Sequence, residues 1–238
     1  MAFQTVFQRY EIKYLLSQEQ KKRVLAAMEG RMELDHYGRT VIRNVYFDTP
    51  QYRLIRHSIE KPVYKEKLRL RSYQQTVQDA PVFVELKKKY KGVVYKRRLA
   101  MPEQEALDWI CGEGRREESQ IAREISYFKE FYEDLRPVIF LSYEREAYYS
   151  LDGGDFRITF DDTILCREDR LSLSEETGGI PILQEDQVLM EIKTAGAVPL
   201  WMTAVLSEEK LFKTSFSKYG TAYQTILYPK LKGGYLHV

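Results

Sequence analysis

Residues 63–73 read VYKEKLRLRSY, a stretch in which charged and apolar residues alternate. Alternation with a period of two is typical of a β-strand, because successive side chains point to opposite faces of the sheet. One face of this strand therefore carries four cations, Lys65, Lys67, Arg69 and Arg71. A charged face on a single strand is usually solvated, so this stretch alone leaves open whether the cations face water or a lumen.

Seven other stretches alternate in the same way and are rich in Val, Ile, Phe and Tyr, the residues that strands favour. Together with 63–73, the predicted strands are 6–14, 41–48, 81–89, 92–100, 138–149, 156–165 and 187–194. Eight strands are enough to close a barrel.

Most of these strands repeat the division into an apolar face and a charged or polar face. The charged or polar sets are Arg9, Glu11 and Lys13; Glu85 and Lys87; Lys96 and Arg98; Arg157, Thr159 and Asp161; and Glu191 and Lys193. Helical periodicity and capping residues predict helices over 18–28, 103–110, 117–135, 199–209 and 217–228. The apolar stripes of these helices need an apolar surface, so we expect them to cover the apolar strand faces and leave the charged faces inward.

Positive charge is concentrated in residues 61–98, which hold twelve Lys and Arg against three acidic residues, although the whole chain has a net charge of only +2. Such a segment repels itself unless an anion neutralises it. A lumen lined by Arg and Lys is costly when empty and favourable when it holds phosphate. The pattern therefore favours a polyanionic ligand.

The composition excludes several other classes of protein. Two cysteines and three histidines among 238 residues give neither a disulfide framework nor a zinc-binding spacing. The near-zero net charge argues against a basic coat for nucleic acid, and no apolar run is long enough for a membrane span or a signal-peptide core. We expect one soluble cytoplasmic domain over residues 1–238.

Short motifs in a fixed order extend these observations along nearly the whole chain. They are RYEIKYLL (9–16), VYFDT (45–49), KLRLRSY (67–73), VFVELKKK (82–89), YKRR (95–98), YEREAY (143–148), FRITFD (156–161), LMEIKT (189–194) and FSKYG (216–220). In this order and strand parity, the chain resembles the vacuolar transporter chaperone (VTC) catalytic domain, the polyphosphate polymerase branch of the triphosphate tunnel metalloenzymes.

The resemblance implies an α+β fold: an eight-stranded antiparallel tunnel barrel with helices outside and a C-terminal helix that closes the tunnel over a triphosphate. It implies Mn²⁺ or Mg²⁺ as cofactor. The catalytic, phosphate-binding residues would be Lys13, Arg69, Arg71, Lys87, Arg145, Arg157 and Lys218. The further substrate-binding cations would be Lys67, Arg98 and Lys193, and the metal-binding carboxylates would be Glu191 and Glu11.

Two of these roles have alternatives, and the role of a third acid, Asp161, is also open. Glu191 could instead form an ion pair with Lys193, and Glu11 could pair with Lys13 rather than bind metal. Asp161 could be a second metal ligand or could end its strand in a turn.

Two positions depart from the family's pattern. Hydrolytic members of the wider superfamily open with Glu-x-Glu-x-Lys, but Arg9 stands where they have the first glutamate. This replacement disfavours a simple phosphohydrolase and suits the polymerase branch. The polymerase branch also tends to carry a second lysine three residues before Lys218, where this chain has Ser215 and a nearby but out-of-step Lys213.

The leading functional hypothesis is a polyphosphate polymerase that transfers the terminal phosphate of ATP to a growing chain. The alternatives are an inorganic tripolyphosphatase or nucleoside triphosphatase, and a non-catalytic polyphosphate-binding module. The expected partners are ATP or another triphosphate, polyphosphate or pyrophosphate, and a membrane partner protein as in the family's membrane-linked members. We expect no nucleic-acid partner, because a tunnel would exclude a duplex and no helix has a basic recognition face.

Overall fold

The computed structural model describes residues 10–77, 80–112, 114 and 116–234. The strands are β1 (Tyr10–Ser17), β2 (Met32–Leu34), β3 (Thr40–Asp48), β4 (Tyr64–Ser72), β5 (Pro81–Tyr90), β6 (Val93–Pro102), β7 (Arg136–Ser150), β8 (Arg157–Arg167), β9 (Ile180–Pro181), β10 (Gln187–Thr194) and β11 (Lys213–Thr214). The helices are α1 (Gln18–Met28), α2 (Arg53–Ile59), α3 (Glu103–Cys111), α4 (Gln120–Tyr132), α5 (Leu200–Glu208), α6 (Lys218–Ala222) and α7 (Tyr228–Gly234), with a π-helical turn at Tyr223–Leu227.

Every predicted strand is present in the described part of the chain, although residues 6–9 of the first predicted strand lie outside it. The structure adds three strands of two or three residues, β2, β9 and β11. The predicted helices are present too. The capping box that predicts α1 is formed: Ser17 Oγ accepts from the Gln20 backbone N–H, and the Gln20 side chain accepts from the Ser17 N–H. No described helix has the length and apolar character that crossing a membrane requires.

Two helices differ from the prediction. Helix α4 ends at Tyr132, because Glu133 and Asp134 adopt positive φ angles of 51° and 36° that a right-handed helix cannot continue through. Helix α2 was not predicted. It begins after Tyr52, whose φ is 57°, and it has no side-chain cap at that residue. The backbone N–H groups of its first turn are instead bound by Asp48, at the end of β3.

The chain divides into two compact units, each made of three chain segments. The first contains Met1–Val41, Tyr143–Ile164 and Leu183–Ser217, and the second contains Ile42–Ser142, Leu165–Ile182 and Lys218–Val238. Strand β7 therefore has residues in both. The expectation of one domain over residues 1–238 stays a prediction.

The first unit contains an antiparallel sheet in the order β11-β1-β10-β8-β7. Its apolar face, which includes Leu16, Ile158 and Met190, packs against Val24 of α1 and Met202 of α5. The opposite face carries the charged row, because Lys13, Glu191 and Thr159 are direct partners across β1, β10 and β8. The helices cover the apolar face, as predicted.

The second unit contains an antiparallel sheet in the order β7-β3-β4-β5-β6. Leu70 and Val84 are fully buried on one face, against Trp109 of α3 and Ile125 and Phe128 of α4. The cations of β4 lie on the other face. The expected antiparallel α+β architecture, with helices on the apolar strand faces, is therefore confirmed.

Candidate functional site

The first unit gathers its charged side chains around Glu191, whose side chain is only 7% exposed. Lys13 Nζ lies 3.1 Å from Glu191 Oε1 and 3.3 Å from Glu11 Oε1, and it donates to the Phe216 carbonyl at 3.1 Å. Burial alone would lower the pKa of Lys13, but the two carboxylates outweigh burial and raise it above its ordinary value. Lys13 is therefore a permanent cation held between two acids.

The second oxygen of Glu191 faces two more cations, Arg145 Nη2 at 3.6 Å and Lys193 Nζ at 3.5 Å. Arg145 also binds Asp161 in a bidentate pair, with distances of 2.5 and 2.6 Å. Burial lowers the pKa of Arg145, but Asp161 and Glu191 outweigh burial and raise it well above its usual value. Bidentate binding fixes the plane of the guanidinium on the charged face.

The oxygen atoms of this cluster are potential ligands for a divalent cation. Among the described residues, no group of three His, Cys, Asp or Glu side chains could hold a metal ion. Mg²⁺ commonly uses one or two carboxylates and takes its remaining ligands from substrate phosphates and water. Thr159 Oγ1, on the same face as Glu191, is buried and has no hydrogen-bond partner within the described part of the chain. The residues thus fit a cation held mainly by a phosphate ligand.

The second unit gathers four cations around a different carboxylate, that of Glu85, which is 1% exposed. Arg69 Nη2 lies 2.7 Å and Arg71 Nε 3.7 Å from Oε2, and Lys96 Nζ lies 2.6 Å from Oε1. Arg98 Nε donates to Oε1 at 2.9 Å. Strands β4, β5 and β6 supply these groups from adjacent register positions.

This crowding shifts the pKa values of the acid and of one lysine. Burial tends to raise the pKa of Glu85, but Arg69, Arg71 and Lys96 hold it far below its ordinary value. Loss of solvent, reinforced by Arg71 and Arg98 and opposed by Glu85, lowers the pKa of Lys96 to about 7. Lys96 is therefore the cation of this cluster whose charge changes near neutral pH.

The other predicted cations of the second unit lie on the same face or beside it. Lys87 is the register partner of both Lys67 and Lys96. Lys67 Nζ lies 5.8 Å from the centre of the Tyr219 ring, and the buried Lys218 precedes Tyr219 in α6. Helix α6 thus contacts the charged face of its own unit.

Tyr219 fastens this helix to the sheet. Its hydroxyl donates to Asp48 Oδ2 at 2.8 Å, and its ring stacks on Tyr46 with 4.7 Å between centroids. Tyr46 in turn accepts a hydrogen bond from Arg69 at 3.0 Å. Burial raises the pKa of Asp48, although its hydrogen bonds to Leu54 and Tyr219 partly offset this effect. The VYFDT and FSKYG motifs therefore meet at one contact.

The structure distributes the predicted site residues between the two units. The first unit holds Lys13, Arg145, Arg157, Lys193, Glu191 and Glu11; the second holds Lys67, Arg69, Arg71, Lys87, Arg98 and Lys218. Arg157 lies on the charged face as the register partner of Lys193, but its side chain is exposed and makes no hydrogen bond or ion pair with any described residue. The catalytic, substrate-binding and metal-binding roles stay predictions.

The two positions that depart from the family's pattern lie at the edge of the first unit or outside the described residues. Lys213 pairs with Tyr14, which belongs to the apolar face, so its register is out of step with Lys13. Ser215 is exposed after β11. Arg9 lies outside the described residues.

Four residues of these clusters were not assigned a site role from the sequence. Strand parity places Lys96 and Glu85 on charged faces, but their contact depends on the register between β5 and β6. The contact between Asp48 and Tyr219 joins residues 171 positions apart and leaves no local signal.

Comparisons with known proteins agree with this architecture. The family model described as the VTC domain matches residues 8–227. No curated protein matches the chain.

Three solved structures share the fold. A candidate adenylate cyclase from Bacillus halodurans has 16% identity and a TM-score of 0.51, covering 90% of this chain and 96% of its own. One from Vibrio parahaemolyticus has 12% identity and a TM-score of 0.50, covering 91% and 98%. A protein from Hippeastrum, described as a candidate adenylyl cyclase with a dominant triphosphatase activity, has 17% identity and a TM-score of 0.53, covering 90% and 93%.

We expect Tyr219→Phe to lower the free energy of unfolding by about 1–3 kcal/mol, because the buried Asp48 carboxylate loses one hydrogen-bond donor. Urea unfolding measures this change. Tyr223→Phe is the matched control, since Tyr223 is also buried but its hydroxyl makes no hydrogen bond to a described residue. Equal losses in the two variants would contradict the role of the Asp48 contact.

Proposed function

Because the chain belongs to the VTC domain family, we propose that it is a polyphosphate polymerase, which transfers the terminal phosphate of ATP to a growing polyphosphate chain. The observation that carries the proposal is the clustering of Arg69, Arg71, Lys96 and Arg98 on one sheet face with a single carboxylate among them. Four cations against one acid leave an excess of positive charge for a polyanion.

The types of residue suit successive phosphates. Arginine binds phosphate oxygens through two parallel N–H donors, whereas lysine acts as a compact point charge. Lys96 and Arg98 have side chains that are 41% and 34% exposed, so a ligand can reach them. Arg71, which is buried, and Arg69, which is partly buried, would contribute positive potential beside them.

The proposed reaction is an in-line displacement at the terminal phosphorus of ATP. An oxygen at the end of the polyphosphate chain forms a bond to that phosphorus, the bond to the β-phosphate oxygen breaks, and ADP leaves with the electron pair. The attacking oxygen is already ionised, so no general base is needed. Positioning and charge neutralisation are then the main contributions of the protein, and the cations supply both.

The proposed cofactor is Mn²⁺ or Mg²⁺ at Glu191, with Glu11 as a second carboxylate. A bound divalent cation would neutralise charge on the phosphate oxygens that it contacts. Lys13 would keep both carboxylates in place, since it lies within 3.3 Å of each. Lys193 and Arg145 would orient the second oxygen of Glu191.

Two other functions have specific support. Hydrolysis of triphosphates, with water as acceptor, is favoured by the triphosphatase activity described for the Hippeastrum protein of the same fold. A non-catalytic polyphosphate-binding module is favoured by Ser215, at the place where the polymerase branch tends to have a second lysine. A cytoplasmic location and a membrane partner protein belong to the polymerase proposal.

One incubation separates the three functions. Purified protein is mixed with ATP and Mn²⁺, and long-chain polyphosphate, ADP and free phosphate are measured together. We expect chain growth matched by ADP, because the proposed acceptor is the chain end. Free phosphate without chain growth would identify a triphosphatase, and tight polyphosphate binding without ADP release would identify a binding module.

We expect Arg69→Ala and Arg71→Ala each to cost about 2–4 kcal/mol of transition-state stabilisation, the range for losing one preorganised contact to developing charge. Lys88→Ala is the matched control. Lys88 is the register partner of Glu66 and lies on the opposite face of β5, so its loss should change kcat/KM little. Steady-state kinetics compare the three variants. A loss with Lys88→Ala as large as with the arginines would contradict the assignment of faces.

We expect Glu191→Gln to abolish most metal-dependent turnover, because a hard divalent cation prefers a charged carboxylate over a neutral amide oxygen. Metal-free tripolyphosphate binding should survive, since the cations that surround Glu191 remain. Calorimetry with and without Mn²⁺ measures binding, and ADP release measures turnover.

The control for this variant is Glu19→Gln, which removes an exposed carboxylate on α1. Full metal-dependent turnover in Glu191→Gln would show that Glu191 serves only as an ion-pair partner of Lys13, Arg145 and Lys193.

A further inference from the structure

Glu85 is an unexpected residue on a face that would bind phosphate. Its carboxylate is 1% exposed and lies at the centre of the cations, where it would repel an incoming polyanion. Burying a carboxylate is costly unless it is paired and hydrogen-bonded. Glu85 would oppose a polyanion and is costly to bury. We therefore look for its role in its contacts with the neighbouring cations.

Each oxygen of Glu85 binds cations of one neighbouring strand. Oε2 accepts from Arg69 Nε at 2.9 Å and Nη2 at 2.7 Å, on β4. Oε1 accepts from Arg98 Nε at 2.9 Å and lies 2.6 Å from Lys96 Nζ, both on β6. The carboxylate thus bridges two strands that flank its own, and it draws their cations toward one point.

Each of the three arginines also donates to a neutral group. Arg69 Nη1 donates to the Tyr46 hydroxyl at 3.0 Å, Arg71 Nε to Asn44 Oδ1 at 3.0 Å, and Arg98 Nη2 to the Tyr73 hydroxyl at 2.7 Å. These neutral partners orient each guanidinium but do not offset its charge. Glu85 is the acid within salt-bridge distance of all four cations, so it limits their mutual repulsion.

We propose that Glu85 is a positioning residue, which holds Arg69, Arg71, Lys96 and Arg98 in the arrangement needed for phosphoryl transfer and weakens the binding of the polyanion while doing so. This inference rests on the proposed function, because it assigns these cations to the phosphates. A carboxylate in this place keeps the cations ordered without a ligand. It also keeps the ligand from binding too tightly to leave.

The proposal predicts that affinity and turnover change in opposite directions. Glu85→Gln removes the negative charge that repels the ligand, so metal-free tripolyphosphate should bind about tenfold more tightly. The same change releases the cations from their common partner, so kcat should fall at least about tenfold. A merely structural role would weaken both binding and turnover.

A pH profile gives a second readout through Lys96. Its charged surroundings are Arg69 and Arg71 on β4, Glu85 and Lys87 on β5, and Arg98 on its own strand, with Tyr73 beside Arg98. The pKa of Lys96 is lowered to about 7, so the lysine is charged below that pH and loses its charge above it. Anion affinity should therefore weaken as pH rises through about 7. Loss of Glu85 removes an attraction that raises this pKa, so the break should move to lower pH by about one unit or more.

The experiment measures tripolyphosphate affinity by calorimetry at pH 5.5–9 and ADP release from ATP with Mn²⁺, for wild type and Glu85→Gln. Lys96→Arg stays charged throughout this range, so its profile reports the titration of tripolyphosphate itself and serves as the baseline. Glu66→Gln is the matched control: Glu66 is also buried, but it lies on the helix-facing side and binds the hydroxyls of Tyr64 and Tyr132. We expect this control to keep wild-type affinity and kcat.

The outcomes separate this inference from the proposed function. Tighter binding, lower kcat and a pH break at lower pH support the role of Glu85. Unchanged values, losses in both binding and kcat, or tighter binding with full kcat would each overturn it. A wild type that neither binds tripolyphosphate nor releases ADP, or binds it without turnover, would overturn the proposed function itself and this role with it.

Circular dichroism checks that Glu85→Gln folds. If it does not, Glu85→Asp carries the test, because it keeps the charge but draws the carboxylate back from all four cations. We then expect kcat to fall severalfold while affinity stays within a factor of about three. Wild-type kcat in Glu85→Asp would overturn the proposal.

Discussion

The structure depends on the fact that a β-strand has two faces and that helices can cover only an apolar one. In the second unit, Leu68 and Leu70 pack on the side of the sheet that α3 and α4 cover. Because side chains alternate along β4, Arg69 and Arg71 lie on the opposite side. The same division places Lys13 and Glu191 away from α1 and α5 in the first unit. Packing energy on one side thus fixes the position of charge on the other.

The strands and their two faces can be predicted from the sequence, because alternation is a local property. The contacts between side chains that share a face cannot be predicted in this way. Lys96 and Glu85 have the right parity, yet their contact depends on the register between β5 and β6, which no single segment encodes. Helix α2 is not predicted from the sequence for a related reason. Its N-cap position, Tyr52, has no capping side chain, and its first backbone N–H groups are bound by Asp48, several residues earlier. Arg157 shows the reverse case, since its parity is right but its side chain is exposed.

The structure adds detail to the expected electrostatics of the basic faces. The density of positive charge in 61–98 predicts a surface that repels itself when no anion is bound. Each cluster contains acids that offset part of this repulsion: Glu85 in the second unit, and Glu11, Glu191 and Asp161 in the first. Because a cation on a partly buried face is stabilised by a nearby carboxylate, these acids help to hold the cations of both clusters in place. The cations of each face thus have counter-ions from their own unit.

The hydrogen bond between Tyr219 and Asp48 has a consequence for how the protein is made. The two residues are 171 positions apart, so a ribosome completes β3 and α2 long before it delivers the donor. Until then, among the described residues, the carboxylate of Asp48 has only backbone N–H partners and the Tyr46 ring has no stacking partner. Contacts this distant in sequence form late, because closing a long loop costs entropy before it gains stability. A nascent chain therefore assembles the cations of β4, β5 and β6 before it gains the helix that carries Lys218, so the basic face of the second unit is complete only after α6 has been made.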